Sequence, residues 1–250
     1  MFVNFFSYVV FTLLLLCSLQ LQAACSDPPA QGVIWLDCDL QGRDLRKVDL
    51  RGAVLTRSNL SNADLRSAKL GNVDLSFANL ANARLEKARL NAAILVRANL
   101  SNAHLEEALL DNAKLGRANL LGTKLQRARM RGASLYQANL TRAVLRGAQL
   151  QSANLSQANL NGADLMGSNL TSTNFKQATL EDAILKDANL YKANLEKANL
   201  LFADLSNTDM TGAYLVGAQI TDAILDGALL NNALWSDRRR CNPGSVGKCN

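Results

Sequence analysis

The side chains best suited to acid–base chemistry stand apart from one another in this chain. His104 is the only histidine, and no serine or cysteine has a histidine partner within sequence reach. Several aspartates recur at multiples of five residues, but they lack the glycine-rich nonapeptide pattern of calcium-binding β-helices. We interpret them as ordinary repeat residues: Asp39, Asp44, Asp49, Asp64 and Asp74. The sequence therefore predicts a non-enzymatic protein with no catalytic residue, no metal site and no cofactor.

Positive charge is concentrated in the middle of the chain. Residues 112–163 contain eight basic side chains and no acidic one, and we call these eight the basic band: Lys114, Arg117, Lys124, Arg127, Arg129, Arg131, Arg142 and Arg146. Residues 25–111 are neutral overall, and residues 164–237 carry four basic and ten acidic side chains. The formal net charge of +6 therefore describes no actual surface. The basic band is a candidate surface for an anionic partner, although a run of charge is usually a solvated face. Nucleic acid is not expected, because only Tyr136 supplies an aromatic ring there.

The first 24 residues are typical of a secretory signal peptide. Residues 1–26 contain no charged side chain, and an apolar run precedes the small residues Ala23 and Ala24. We expect cleavage before Cys25 and export to the periplasm or the extracellular space. A retained membrane anchor is the alternative, and Cys25 after the cut also raises lipidation.

Spacing explains where the apolar residues must lie. From Trp35 to Trp235 every fifth residue gives 41 positions, of which 35 are Leu, and 31 of the residues two places before them are Ala. A five-residue period forms no stripe on an α-helix and alternates between the two faces of a straight strand. The pattern buries every Leu only if each short extended segment is followed by a bend. Ten of the 15 glycines lie two residues after a core position, where a turn with positive φ would need them.

A second period predicts the size of one coil. Asparagine recurs at intervals of twenty in one register, at Asn59, Asn79, Asn99, Asn119, Asn139, Asn159 and Asn199. Twenty residues per coil means four pentapeptides, and stacking at about 4.8 Å gives about ten coils in a rod roughly 50 Å long. We expect the asparagines to form an amide ladder along this rod.

Segments such as ANLSN, ADLRS, ANLEK and ADLSN resemble the pentapeptide-repeat family, over about 80% of the chain. The resemblance implies an all-β fold, a right-handed quadrilateral parallel β-helix. The family includes members that mimic DNA and bind type II topoisomerases by presenting an acidic surface. In this chain only residues 164–237 are acidic enough for that role. Arg43 departs from the pattern at a position that prefers Ala, so either the coil loosens there or the guanidinium leaves through the open end.

The predicted organisation is a signal peptide (1–24), an N-terminal cap (25–34), the β-helix (35–235) and a C-terminal cap (236–250). Trp35 and Trp235 hold the first and last core positions and are expected to close the two ends. A rod roughly 50 Å long cannot bring opposite ends within the 7 Å or so that a disulfide spans. We therefore predict two disulfides, Cys25 with Cys38 and Cys241 with Cys249, with free thiols or a metal site as the alternative.

The expected function follows from this architecture. Core positions point inward, so a partner can touch only the outward side chains and the two ends. We favour a rigid scaffold or protein-interaction surface whose protein partner is unknown. The alternative is a polyanion or envelope-surface binder that uses the basic band. A membrane association is expected only if the signal is retained or Cys25 is lipidated.

Overall fold

The computed structural model describes residues 24–250. Its one helix is a 3₁₀ turn, Ala24–Ser26. The predicted signal peptide, apart from Ala24, lies outside the described residues. In the described part of the chain, no helix has the length and apolar character that a membrane span requires.

Parallel pairing with a fixed offset of twenty residues builds the rest of the molecule. Bridges join Ile34 to Val54 and continue every five residues as far as Tyr214 and Leu234. Each extended segment is a single bridge residue, so residues 24–250 contain no longer strand. The backbone N–H groups of Leu100 and Asn119 illustrate the pairing, because they donate to Asn119 (2.7 Å) and Ala98 (2.9 Å) respectively. The chain therefore pairs with itself at a constant interval of twenty residues, the length of four pentapeptides.

Four surface strips follow from this register. Strip 1 begins with residues 33–37, strip 2 with 38–42, strip 3 with 43–47 and strip 4 with 48–52, and each recurs every twenty residues. Residues twenty apart on a strip are in register, because their backbones are paired.

The repeated Leu and Ala side chains fill the interior. Almost all of them are fully buried, including Met130 and Phe175, which stand at Leu positions. Hydroxyl residues that replace Ala are satisfied inside the rod. Thr123 and Thr173, for example, donate through Oγ1 to the carbonyl oxygens of Leu100 and Leu150, both at 2.8 Å. The interior is thus packed without orphaned hydroxyl groups at these sites, and it leaves only outward side chains for contact with partners.

Every corner places one residue in the left-handed backbone region. At the turn after Leu90, Ala92 has a φ of 56° and the N–H of Ala93 donates to the Leu90 carbonyl at 3.0 Å. This combination is that of a type II turn. Glycine was the expected residue, yet Arg, Lys, Asn and even Phe occupy many of these positions. The register of the ladder therefore overrides the local preference for glycine.

A side-chain hydrogen bond explains the Asp or Asn that precedes 20 of the 41 core residues. The N–H after the core residue takes no part in the ladder, and the preceding carboxylate or amide oxygen accepts it. Asn99 Oδ1 accepts the Ser101 N–H at 3.2 Å, and Asp204 Oδ1 accepts the Ser206 N–H at 2.9 Å. Asp and Asn thus satisfy a backbone donor that the turn would otherwise expose.

The predicted amide ladder forms along part of strip 2. Each Nδ2 donates to the Oδ1 of the residue one coil earlier, at 3.1–3.2 Å, from Asn79 to Asn139, and Asn59 donates to Asp39 at 2.9 Å. The ladder ends there. Asn159 accepts from the Thr179 hydroxyl, and the Asn199 amide donates to Glu181. A second ladder that the sequence analysis missed runs along strip 1 through Gln137, Gln157 and Gln177.

The N-terminal end of the rod is closed. Trp35 is fully buried at the first core position, and a disulfide joins Cys25 to Cys38, whose Cα atoms are 5.4 Å apart. Because this bond uses the Cys25 sulfur, the same sulfur cannot also carry a thioether-linked lipid. Arg43 is exposed while its N–H keeps the turn bond to Leu40. Of the two outcomes for Arg43, the guanidinium leaves the rod and the coil stays intact.

The C-terminal end is closed on two strips only. Residues 240–246 fold back antiparallel, with Leu234 bridged to Arg240 and Leu229 to Val246, and a disulfide joins Cys241 to Cys249 with a Cα separation of 4.8 Å. The Arg240 guanidinium donates to the Asn232 carbonyl at 3.0 Å. On strips 2 and 3, by contrast, the core residues Ile220 and Leu225 are only half-buried. Trp235, 7% exposed, therefore covers part of this end and not all of it.

Candidate interaction surfaces

The basic band is spread over the four strips instead of forming one patch. Its members fall on all four strips: Lys114 and Arg117 on strip 1, Arg142 on strip 2, Lys124, Arg127 and Arg146 on strip 3, and Arg129 and Arg131 on strip 4. A flat anionic surface would therefore meet only two or three of them at once. The grouping along the sequence is not a grouping in space.

Several of these basic side chains also pair with neighbouring side chains. Arg129 pairs with Asp111, and Arg146 Nε lies 2.5 Å from Asp164 Oδ2. Arg117 Nε donates to Gln137 Oε1 at 2.8 Å, at the start of the glutamine ladder. Hydrogen bonding to Asp111 raises the pKa of Arg129, so that guanidinium stays charged and paired. These contacts leave fewer free cations than the sequence suggests.

A cluster of Asp–Arg pairs covers the first coils. Asp44 and Asp49 each accept two hydrogen bonds from the guanidinium two residues later, that of Arg46 or Arg51. Hydrogen bonds from Arg46 lower the pKa of Asp44 to about 2, and those from Arg51 lower the pKa of Asp49 further below its ordinary value. The same cause lowers the pKa values of Asp37 and Asp64. This end of the rod is thus an internally neutralised surface.

Exposed apolar side chains stand out near the other end. Phe202, on strip 2, is 53% exposed, and Ile184 and Ile224, on strip 3, are 39% and 48% exposed. Asp182 and Asp222 lie one coil before and one coil after Phe202 in the same register, and both are exposed. Among residues 24–250, neither of these carboxylates is held in an ion pair or a side-chain hydrogen bond. We call these five residues the acidic–apolar surface.

Phe202 also adopts a backbone conformation that its side chain does not favour. Its φ is 58°, in the left-handed region that bulky side chains avoid. Phe77 shares this conformation, but Arg97 lies over its ring, 5.8 Å from the centroid. No cation lies over Phe202 within the described part of the chain. Its ring is thus a half-exposed apolar group that no intramolecular cation covers.

His104 is not isolated, contrary to the sequence analysis. It lies on strip 3 with Glu86 and Glu106, and one ligand atom from each lies within 4.8 Å of the other two. His104 Nδ1 is 3.5 Å from Glu106 Oε1, and Arg84 Nη2 is 3.1 Å from Glu86 Oε1. The signal was present in the sequence, because two Glu residues stand twenty apart and the His precedes the second by two. The inward pattern of Leu and Ala does not reveal it, because all three side chains occupy outward positions.

The repeat itself identifies the family. Sequence profiles of pentapeptide repeats match the chain in eight copies between residues 37 and 227. The chain belongs to the pentapeptide-repeat family. No catalytic family is indicated, and pentapeptide-repeat proteins are generally structural or binding proteins. No curated protein sequence matches the chain closely enough to count as a relative.

The solved structure of another pentapeptide-repeat protein supports the same architecture. The chain is 34% identical to HetL, a pentapeptide repeat protein involved in heterocyst differentiation regulation in the cyanobacterium Nostoc sp., with a TM-score of 0.67 over 82% of this chain and 92% of HetL. It is 18% identical to QnrB1, a plasmid-mediated fluoroquinolone resistance protein, with a TM-score of 0.31 over 80% of this chain and 93% of QnrB1. The likeness to HetL makes the protein a right-handed β-helix solenoid.

Proposed function

We propose that the protein is a non-enzymatic, exported scaffold that binds another protein through its acidic–apolar surface. The supporting observation is Phe202. Its ring is half-exposed, its backbone is held in an unfavourable conformation, and unpaired carboxylates lie one coil away on either side. Phe202 shares this backbone conformation with all the other corners of the rod, so the exposed ring and the unpaired carboxylates beside it carry the proposal.

The chemistry of this surface specifies its partner. Apolar groups surrounded by acidic ones are complementary to an apolar pocket bordered by lysine or arginine side chains. Aromatic residues are also enriched among the side chains that dominate binding energy. The partner is therefore a protein with a basic, partly apolar surface.

The rod holds this surface rigidly. We propose that its coils are four-sided, about ten in number, because every described parallel bridge joins residues twenty apart. A filled interior and continuous ladders leave little freedom for the outward side chains to move relative to one another. The partner would then meet a preformed surface.

The proposal includes export after removal of residues 1–24. Two disulfides support it, since such bonds persist in oxidising compartments. Mass spectrometry of the protein from its native compartment tests this point. A mature chain that begins at Cys25 with four oxidised cysteines agrees with export, and a chain that retains residues 1–24 or carries free thiols contradicts it.

The binding proposal is tested by capture of the partner with matched variants. The wild-type protein, Phe202→Ser and Phe77→Ser are compared at about 0.15 M and 0.5 M salt, because high salt screens exposed charges beyond a few ångströms. A partner lost with Phe202→Ser, kept with Phe77→Ser and retained in part at high salt supports the proposal.

The polyanion alternative gives the opposite pattern. A variant in which Lys114, Lys124, Arg131 and Arg142 are replaced by Glu would lose a polyanionic partner, whereas Phe202→Ser would keep it. Complete loss of binding at 0.5 M salt in the wild-type protein would point the same way. Either result would overturn the acidic–apolar surface as the binding site.

A further inference from the structure

The cluster of Glu86, His104 and Glu106 on strip 3 contains donor atoms that the protein leaves without partners. Glu86 and Glu106 each have one oxygen in a polar contact, with Arg84 and His104 respectively. Their second oxygens, both Oε2, are buried and accept no hydrogen bond from residues 24–250. Gln126 Oε1, one coil beyond Glu106 in the same register, is buried and unpartnered as well.

Buried oxygens of like charge that accept no hydrogen bond are unfavourable, and the Arg84 guanidinium bonded to Glu86 Oε1 offsets only part of their charge. An unsatisfied buried polar group costs about 1–3 kcal/mol, and more when it is charged. Two carboxylates at this spacing also repel each other. A cation between them removes both penalties, and so would a shared proton. The imidazole of His104 beside them favours a metal ion over a shared proton, because it supplies the nitrogen donor that many metal ions prefer.

The backbone sets the donors in place before any ligand arrives. The Leu85 N–H donates to the His104 carbonyl at 2.7 Å, and the Lys87 N–H donates to the Glu106 carbonyl at 3.0 Å. Glu86 and Glu106 are therefore held in register one coil apart. The groove beside them, about 380 Å³ in volume, is lined by Glu106, Glu107, Gln126, Arg127 and Arg146 and gives access from solvent.

We propose that Glu86, His104 and Glu106 form a binding site for a first-row divalent transition metal ion, with Gln126 Oε1 or water as a fourth ligand. Three protein ligands with one nitrogen and two carboxylates suit Zn²⁺ in tetrahedral coordination. Metal–ligand distances of about 2.0–2.2 Å place tetrahedral donors roughly 3.4 Å apart. The donors, now within 4.8 Å, reach this spacing through small side-chain rotations.

Titration calorimetry of the full exported chain with ZnCl₂ tests the site. The protein is prepared without a polyhistidine tag for this experiment, because a tag would itself bind the metal. The expected result is saturable binding of one Zn²⁺ per chain, weakened at least about ten-fold by His104→Gln, Glu86→Gln or Glu106→Gln. Glu107→Gln is the matched control, because Glu107 adjoins Glu106 but faces Lys87, 3.6 Å away. That variant should bind Zn²⁺ like the wild type.

A chemical readout avoids dependence on the His104 variant. His104 is the only histidine, so its modification by diethyl pyrocarbonate reports on one site. Zn²⁺ should protect His104 in the wild type and in Glu107→Gln, and the same Zn²⁺ concentration should protect it much less in Glu106→Gln. Thermal unfolding without metal checks that each variant is folded. The proposal is overturned if the binding of Zn²⁺ does not saturate or if Glu107→Gln weakens that binding as much as Glu106→Gln. It is also overturned if His104 is modified equally with and without Zn²⁺.

Discussion

The Asn99 amide Nδ2 donates to Asn79 Oδ1 at 3.1 Å, across one full coil of the rod. Asn99 Oδ1 in turn accepts from Asn119 Nδ2 at 3.1 Å and from the Ser101 N–H at 3.2 Å. One side chain thereby ties three coils together and also completes its own turn. Such a residue should contribute more to stability than an Asn that only completes a turn.

Replacement of Asn99 measures that difference. Asn99→Ala removes all three hydrogen bonds, whereas Asn189→Ala removes only the bond from the Tyr191 N–H. At about 1 kcal/mol for each net hydrogen bond, we expect Asn99→Ala to lower the free energy of unfolding by about 2 kcal/mol more than Asn189→Ala. Chemical denaturation of the two variants checks this. Equal losses would mean that the ladder adds no stability.

The strained corners give a test in which the same substitution has opposite effects at adjacent residues. Ala92 has a φ of 56°, and a left-handed conformation costs about 1–2 kcal/mol for a residue other than Gly. Ala93 follows it, is fully buried and has no positive φ. We expect Ala92→Gly to raise the midpoint of thermal unfolding and Ala93→Gly to lower it. A decrease in both variants would show that the turn carries no strain.

Acid should weaken the N-terminal Asp–Arg cluster. The pKa of Asp44 is lowered to about 2, while an aspartate in the unfolded chain titrates near 3.9. The unfolded state therefore binds the proton first, so the stabilisation is complete above pH 4 or so and is lost as the pH falls towards 2. Asp44→Asn keeps an oxygen for the Arg46 N–H but removes the charge. Its thermal midpoint should fall less between pH 5 and pH 2 than that of the wild type. An equal fall would exclude Asp44 as a contributor.

Much of the fold was predictable because the repeat has no insertion. The spacing of Leu, Ala and Asn predicted the inward positions, the twenty-residue register and the lane of the ladder, and the length of the rod paired Cys25 with Cys38. The left-handed corners were predicted only where Gly occurs, since a single sequence does not reveal that Phe202 or Ala92 must adopt the same backbone. The position of each corner is set by the ladder, not by local preference.

The candidate sites were harder to predict because they depend on outward residues twenty apart. Basic residues that are neighbours in the sequence separated onto four strips, while Glu86 and His104, eighteen residues apart, came together. The half-open C-terminal end was not foreseen either, because the fold-back of residues 240–246 follows no repeat. Residues twenty apart in the sequence lie on one strip, so the register determines which outward side chains are neighbours.

We propose above that the acidic–apolar surface binds a protein partner. Site-specific photo-cross-linking in the native compartment tests it most directly, with the photoreactive residue at position 202 and, for comparison, at the exposed position 157 on strip 1. We predict a discrete cross-linked protein from position 202, absent from position 157 and reduced when Ile184 and Ile224 are replaced by Ser. The same products from both positions, or products from position 157 alone, would contradict the claim.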